Sequence, residues 1–165
     1  MGIIIFGASG AGSTTLGKEI AQRLKYQFLD IDDYLWCWTT EIPLTVTRSW
    51  EERTNGLMND IKKHPNFVIA GTIFNDREHF DPLLDLAVFI STPKDICAAR
   101  VHAREYARWG NRVLPGGDMY KSTRFHGDFK IIWLMLKNMK QRTNRSSDAN
   151  YTSNGLQNYT ALFYV

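Results

Sequence analysis

The chain has few of the residues that build disulfide frameworks or metal centres. Of its 165 residues two are cysteines, Cys37 and Cys97, and no metal-type spacing relates them. Reduced thiols are therefore the expected state. The four histidines are scattered without ligand spacing, which favours surface positions over a metal site: His64, His79, His102 and His126. Neither a Ser-His-Asp nor a Gly-x-Ser-x-Gly arrangement is apparent, so nothing indicates a covalent hydrolase.

A hydrophobic run long enough to cross a membrane is also missing. The apolar start, Ile3-Ile4-Ile5-Phe6, lacks a basic leader and a cleavage site, and it is far shorter than the roughly 20 apolar residues that span a bilayer. We therefore expect a cytoplasmic protein without a membrane segment. The formal net charge of +3 suits an anionic ligand but is too small to indicate a nucleic-acid partner.

The pattern of apolar residues predicts one α/β domain spanning residues 1–165. Hydrophobic residues make up 44% of the chain and charged residues 22%, enough for a real core. Short β-branched runs alternate with stretches of helical periodicity, so we predict a parallel sheet of about five strands in a three-layer α/β/α arrangement. The predicted strands are 3–6, 27–29, 67–70, 87–90 and 160–165. The predicted helices are 14–25, 50–63, about 93–109 and one within 120–140, and the tail 143–158 is predicted to be a loop.

The most specific motif is the glycine-rich segment between the first predicted strand and helix. It fits the phosphate-loop pattern G-x-x-x-x-G-K-[ST], except that Ser13 replaces the lysine. Small residues let backbone amides converge on one anion at the positive end of the following helix. Thr14 stands where such loops ligate Mg²⁺ through the hydroxyl. The predicted nucleotide-binding residues are Gly7, Ser9, Gly10, Ala11, Gly12, Ser13, Thr14 and Thr15. The alternative, a turn that only packs strand against helix, agrees less well with three glycines, two hydroxyls and both flanks.

Ser13 leaves two explanations open. A lysine there would follow the charge on the transferring phosphate, whereas serine offers one hydrogen bond and no charge. Either another cation takes over that work, or the protein binds nucleotide and turns over slowly.

With these residues the chain resembles the small P-loop kinases related to adenylate kinase, shikimate kinase and gluconate kinase. It looks most like uncharacterised bacterial adenylate kinase-like and topology-modulation-protein-like members. The segments Gly7–Gly17, Phe28–Asp33 and Arg100–Asp118 carry the resemblance, which covers about residues 1–120. It implies a P-loop NTPase fold of nucleoside-kinase type, ATP or another NTP with Mg²⁺ as the donor, and a nucleoside, nucleotide or shikimate-like hydroxyl acceptor.

In such kinases, acidic residues after the second strand contact the acceptor hydroxyl or the metal. Asp30 and Asp32 fall there, and alternate strand residues project to one side, so we expect them to act together while Asp33 points elsewhere. We favour Asp32 as the base, with possible support of Mg²⁺ through water. The alternative is a helix N-cap with solvated acids. The neighbouring Tyr34, and the tryptophans after it, could stack on the acceptor or pack inside the protein.

Four arginines recur at intervals of four: Arg100, Arg104, Arg108 and Arg112. The resemblance implies a lid-like segment at about 100–120 whose arginines close on the phosphates. Arg104 and Arg108 are then the expected catalytic replacements for the lysine, with Arg100 and Arg112 binding nucleotide. The alternative is a solvated basic face balanced by Glu105. Like charges at this spacing cost a few tenths of a kcal/mol per pair, which a bound anion would offset.

The end of the chain departs from this family. If the last predicted strand is the fifth, the adenine-contacting loop and closing helix of these kinases would be missing, and a homodimer could cover the exposed end. Three functions follow in order of preference: a small-molecule phosphotransferase, a non-catalytic nucleotide-binding regulatory protein, and nucleic-acid association, which the small net charge disfavours.

Overall fold

The computed structural model describes residues 1–41, 45–73, 77–120 and 160–164. These residues belong to two compact units. The first comprises the described parts of Met1–Gly7, Ala11–Ser91 and Asn158–Val165, and the second those of Ala8–Gly10 and Thr92–Gln157. The predicted helix within 120–140 and the predicted loop 143–158 lie outside the described residues. The prediction of a single domain with a lid-like segment stays a prediction.

The first unit is built on a parallel five-stranded sheet with the strand order β2-β3-β1-β4-β5. Its strands are β1 (Gly2–Gly7), β2 (Gln27–Asp30), β3 (Phe67–Ala70), β4 (Leu86–Ile90) and β5 (Thr160–Tyr164). A parallel sheet whose strands are separated by helices confirms the predicted α/β class. Parallel strands need such long crossovers because each strand must return to the same starting edge.

The helices largely match the periodicity in the sequence. They are α1 (Ser13–Leu24), α2 (Ile31–Leu35), α3 (Trp50–Lys63), α4 (Arg77–Phe80) and, in the second unit, α5 (Lys94–Trp109). A capping box starts α3, because Ser49 accepts from the Glu52 backbone N–H while the Glu52 carboxylate accepts from that of Ser49. The sequence predicted α1, α3 and α5 but missed α2 and α4, which are too short to show a helical period.

The central strands form the core of the first unit. Ile5 in β1 and Val68 in β3 have no exposed surface, and Ala21 of α1 packs with them. Burying a side chain such as Ile or Val contributes about 1.5–3 kcal/mol. The register pairs Asp30 and Ile5 each with Ala70, so the carboxyl ends of β2, β3 and β1 share one edge. In open α/β sheets, ligands bind at that edge.

The described part of the second unit consists mainly of α5 and a loop. Cys97 is the one fully buried residue of α5, and the helix ends at Gly110. A short 3-10 turn follows at Gly110–Val113. In the part of the chain that the structure describes, no helix combines the length and the apolarity needed to cross a bilayer.

Candidate functional site

The predicted phosphate loop joins β1 to α1 along the chain, as its sequence requires. Gly10 and Gly12 both have left-handed backbone angles, with φ of 85° and 107°, which side-chain-bearing residues rarely adopt. Gly12 is the N-cap residue of α1, and its carbonyl accepts from Leu16 N at 2.9 Å. Within the described residues no side chain caps this helix. The amides of its first turn are therefore available to an anion.

The Thr14 hydroxyl, in the first turn of α1, lies against an acidic residue of the sheet edge. It lies near enough to Asp30, the last residue of β2, to lower the pKa of that carboxyl. Burial raises the pKa of Asp30, and the negative charges of Asp32 and Asp33 add to the rise, while the Asp32 backbone N–H and Thr14 lower it. A loop hydroxyl and a carboxylate thus lie near each other at the carboxyl edge of the sheet.

The structure does not place Asp30 and Asp32 on one strand, as the sequence predicted. The prediction that strand alternation projects both residues to one side is wrong, because the strand ends at Asp30 and Asp32 already lies in α2. Asp30 caps that helix by accepting from the Asp32 backbone N–H at 3.2 Å, as the N-cap alternative stated. The exposed Asp32 carboxylate accepts instead from Trp36 Nε1 at 3.1 Å, which orients one of its oxygens.

The hydroxyl of Thr14 and the carboxylate of Asp30 offer oxygen atoms, which are the ligands that Mg²⁺ prefers. Among the described residues, no three carboxylate, histidine or cysteine side chains gather into a metal-binding group. Mg²⁺ in nucleotide sites needs fewer, since one or two protein ligands are completed by waters and phosphate oxygens. Thr14 and Asp30 are the residues that would hold it, and the expected support by Asp32 through water stays a prediction.

A pocket opens beside this edge, between α2, α3 and the segment after β3. Its polar lining consists of Tyr34, Arg53, Thr54 and Thr72, and its apolar lining of Ile31, Leu35, Leu57, Ile73 and Phe80. The sequence singles out Tyr34 and also Thr72, which follows the third predicted strand at the same rim and could touch the acceptor, although a strand-ending turn is its preferred role. Arg53 and Thr54 were missed because a helix position alone does not show which face meets a cavity. The capping box at Ser49, which fixes where α3 begins, was the available signal.

Tyr34 is a fixed part of the pocket wall. Its hydroxyl donates to Asp60 Oδ2 at 2.8 Å, and Lys63 Nζ donates to the other oxygen of that carboxylate at 3.0 Å. Burial and the hydrogen bond to Asp60 raise the pKa of Tyr34 far above its ordinary value. Its hydroxyl therefore stays protonated and keeps α2 tied to α3.

The arginines of α5 do not form one uniform face. Arg104 Nε and Arg108 Nη1 lie 3.0 and 3.8 Å from the same oxygen of Glu105. These two contacts agree with the alternative that Arg104 and Arg108 belong to a basic face whose charge Glu105 balances. Arg100 instead donates from Nη1 to the carbonyl oxygen of Gly10, at 3.4 Å. Arg100 is thus the arginine of this helix that contacts the phosphate loop.

Arg112 lies beyond α5 and makes a bidentate contact within its own loop. Its Nε and Nη2 donate to the two oxygens of Asp118 at 3.0 and 2.7 Å. This contact holds the pKa of the Asp118 carboxyl below its usual range. The predicted role of Arg112 in nucleotide binding stays a prediction.

A glycine-rich loop between the first strand and helix of this parallel sheet defines the chain as a P-loop protein. The family model of shikimate kinase matches residues 9–110, more than half of the chain. The chain therefore belongs to the shikimate kinase family, which confirms the resemblance to P-loop small-molecule kinases.

Several individual proteins are also similar to this chain. The uncharacterised protein YqaC of Bacillus subtilis is 34% identical over 122 residues, covering 74% of this chain and 66% of YqaC. Shikimate kinase 2 of Syntrophotalea carbinolica is 31% identical over 110 residues, covering 61% and 63% of the two chains. The chain thus spans slightly less than two thirds of these relatives. The structure of Acinetobacter baumannii shikimate kinase in complex with shikimate superposes with a TM-score of 0.51 at 21% identity, over 94% of this chain and 85% of that one, which shows a shared fold.

Proposed function

We propose that the protein is a nucleotide-dependent phosphotransferase that transfers a phosphoryl group to a hydroxyl of a small molecule, such as a shikimate-like compound, a nucleoside or a nucleotide. The observation that carries this proposal is the interaction by which the Thr14 hydroxyl, at the start of α1, lowers the pKa of Asp30 at the end of β2. It joins a phosphate-loop hydroxyl to an acid of the sheet edge where the acceptor pocket opens. ATP or another NTP is the donor, and the cytoplasm is the expected location.

The described residues can divide the work without a covalent intermediate. The uncapped amides at the start of α1 bind the phosphate chain. Mg²⁺, held by Thr14 and Asp30, would supply charge neutralisation for the phosphates. Asp32, whose carboxylate is oriented by Trp36, accepts the proton of the acceptor hydroxyl. The pocket between α2 and α3 holds the acceptor, so catalysis consists of positioning and electrostatic stabilisation.

Ser13 keeps a second function open. A regulatory protein that binds nucleotide without transferring phosphate would need the same loop but no cation beside the γ-phosphate. A screen with shikimate, adenosine and AMP as acceptors separates the two: turnover of any of them supports the kinase, whereas nucleotide binding without turnover supports the regulatory protein. The expectations that nucleic-acid association is disfavoured and that a homodimer could form stay predictions.

Replacing Ser13 by lysine is expected to raise kcat at least about tenfold, because the side chain adds a positive charge where the transferred phosphate gains stabilisation. The measurement is steady-state turnover at saturating ATP and acceptor. The matched control is Ser13→Gln, which is long and polar but uncharged and should give no gain. A lysine variant no faster than the glutamine variant would contradict the idea that charge limits the rate.

Replacing Arg100 by alanine is expected to weaken ATP binding about tenfold, because it removes the guanidinium that contacts the Gly10 carbonyl. Arg100→Lys should recover part of the loss. Calorimetric titration with ATP measures the effect, and Arg23→Ala is the control because Arg23 is an exposed residue that pairs with Glu19. Unchanged affinity would contradict a role in the loop.

The double variant Arg104→Ala, Arg108→Ala should abolish turnover if those residues replace the lysine, and unchanged turnover would remove that proposal.

A further inference from the structure

Thr54 is an unusual residue in the interior of the first unit. The residue is 8% exposed, and among the described residues it is the one buried residue with a polar side chain. Within the same residues its hydroxyl has no hydrogen-bond partner. A threonine inside a helix often bonds a carbonyl one turn back, but this one does not. A buried hydroxyl without a partner lowers stability, and valine would fill nearly the same volume without that cost.

The position of Thr54 in the pocket lining offers an explanation for its buried hydroxyl. It lines the pocket together with Arg53, Tyr34 and Thr72, and the apolar lining of the same pocket includes the buried Ile73 and Phe80. The pocket therefore combines an apolar surface with three hydroxyl-bearing side chains and one guanidinium. A hydroxyl can both donate and accept, so Thr54 suits an uncharged hydroxyl or carbonyl of a ligand better than an ionised group.

We propose that Thr54 is a specificity-determining residue of the acceptor site and binds a hydroxyl of the acceptor other than the one phosphorylated. This inference rests on the proposed phosphotransferase function. It narrows the acceptor to a polyhydroxylated compound with an apolar carbon face, since such a molecule meets the hydroxyl of Thr54 and the apolar lining at once. The stability lost in the free protein is regained when that acceptor hydrogen bond forms.

Two substitutions at Thr54 test the inference. Thr54→Val keeps the shape and removes the hydroxyl, and Thr54→Ser keeps the hydroxyl. With ATP and whichever of shikimate, adenosine or AMP the wild type phosphorylates, the valine variant should raise the acceptor KM roughly tenfold. It should leave kcat within about threefold. The serine variant should keep the wild-type KM, and the ligand-free valine variant should melt at or above the wild-type temperature.

The outcomes are distinct. An unchanged acceptor KM in Thr54→Val overturns the inference and leaves the kinase function standing. An equal loss in Thr54→Ser, or a lower melting temperature of ligand-free Thr54→Val, overturns it too, because the residue would then act through packing or an internal hydrogen bond. No turnover of any of the three acceptors by the wild type overturns the proposed function and the inference with it.

Discussion

Gly10→Ala is expected to reduce the affinity for ATP by at least about 100-fold. The residue has a φ of 85°, and a left-handed angle costs a residue with a side chain about 1–2 kcal/mol. An added Cβ would also collide with the carbonyl oxygen of Cys97 and would approach Cγ2 of Val101 to 2.9 Å. Strain and collision together would shift the loop that carries the phosphate-binding amides. Calorimetric titration with ATP and Mg²⁺ measures the loss.

Gly12→Ala separates the collision from the strain. Gly12 has a φ of 107° in the same loop, but its Cβ would meet nothing within 4 Å. Only the backbone cost of about 1–2 kcal/mol applies, which corresponds to roughly tenfold in affinity. Equal affinities of the Gly10→Ala and Gly12→Ala variants would contradict the packing of Gly10 against Cys97 and Val101, which belong to the same unit.

Asp30→Asn is expected to lower kcat about 100-fold, because the carboxylate proposed to hold Mg²⁺ near Thr14 would lose its charge. Asparagine can still cap α2 by accepting from the Asp32 backbone N–H, so the fold should persist. Asp33→Asn is the control, since Asp33 is exposed on the same helix and should keep activity within about threefold. Steady-state turnover measures both, and equal activity of the two variants would remove Asp30 from the site.

The pH dependence of the same variant has a definite sign. Burial raises the pKa of Asp30 in the folded protein, so the folded state binds this proton more tightly than the unfolded state. The stabilisation that protonated Asp30 contributes is therefore present at acid pH, and it is lost as the pH rises through the raised pKa of the folded state. Ligand-free Asp30→Asn should melt above the wild type at pH 7. The difference should vanish below the ordinary aspartate pKa of about 4, and a lower melting temperature at pH 7 would contradict the assignment.

The sequence predicted the elements that have a long period or a strong local signal. The strand before Gly7 and the helix after it follow from β-branched residues, glycines and apolar spacing. The bounds of α3 match because Ser49 and Glu52 form a capping box and His64-Pro65 ends the helix. The strand β5 was predicted from its apolar run, and its backbone pairs with β4.

The misses have physical causes. The helix α2 has only five residues, so its start was not recognised in the sequence. Asp32 was therefore treated as part of the end of β2, and the prediction that Asp30 and Asp32 project to the same side was wrong. The arginines repeat every four residues in the sequence, but Glu105 engages two of them while Arg100 contacts the loop. The pocket brings together residues 34, 53–54, 72–73 and 80, and no local pattern links positions that far apart.

The most direct test of the account is calorimetric titration of the wild-type protein with ATP, GTP and ADP, each with and without Mg²⁺. A phosphate loop completed by Thr14 and Asp30 predicts one bound nucleotide per chain and tighter binding of the triphosphate when Mg²⁺ is present. Absence of binding by all three nucleotides at millimolar concentration would contradict it.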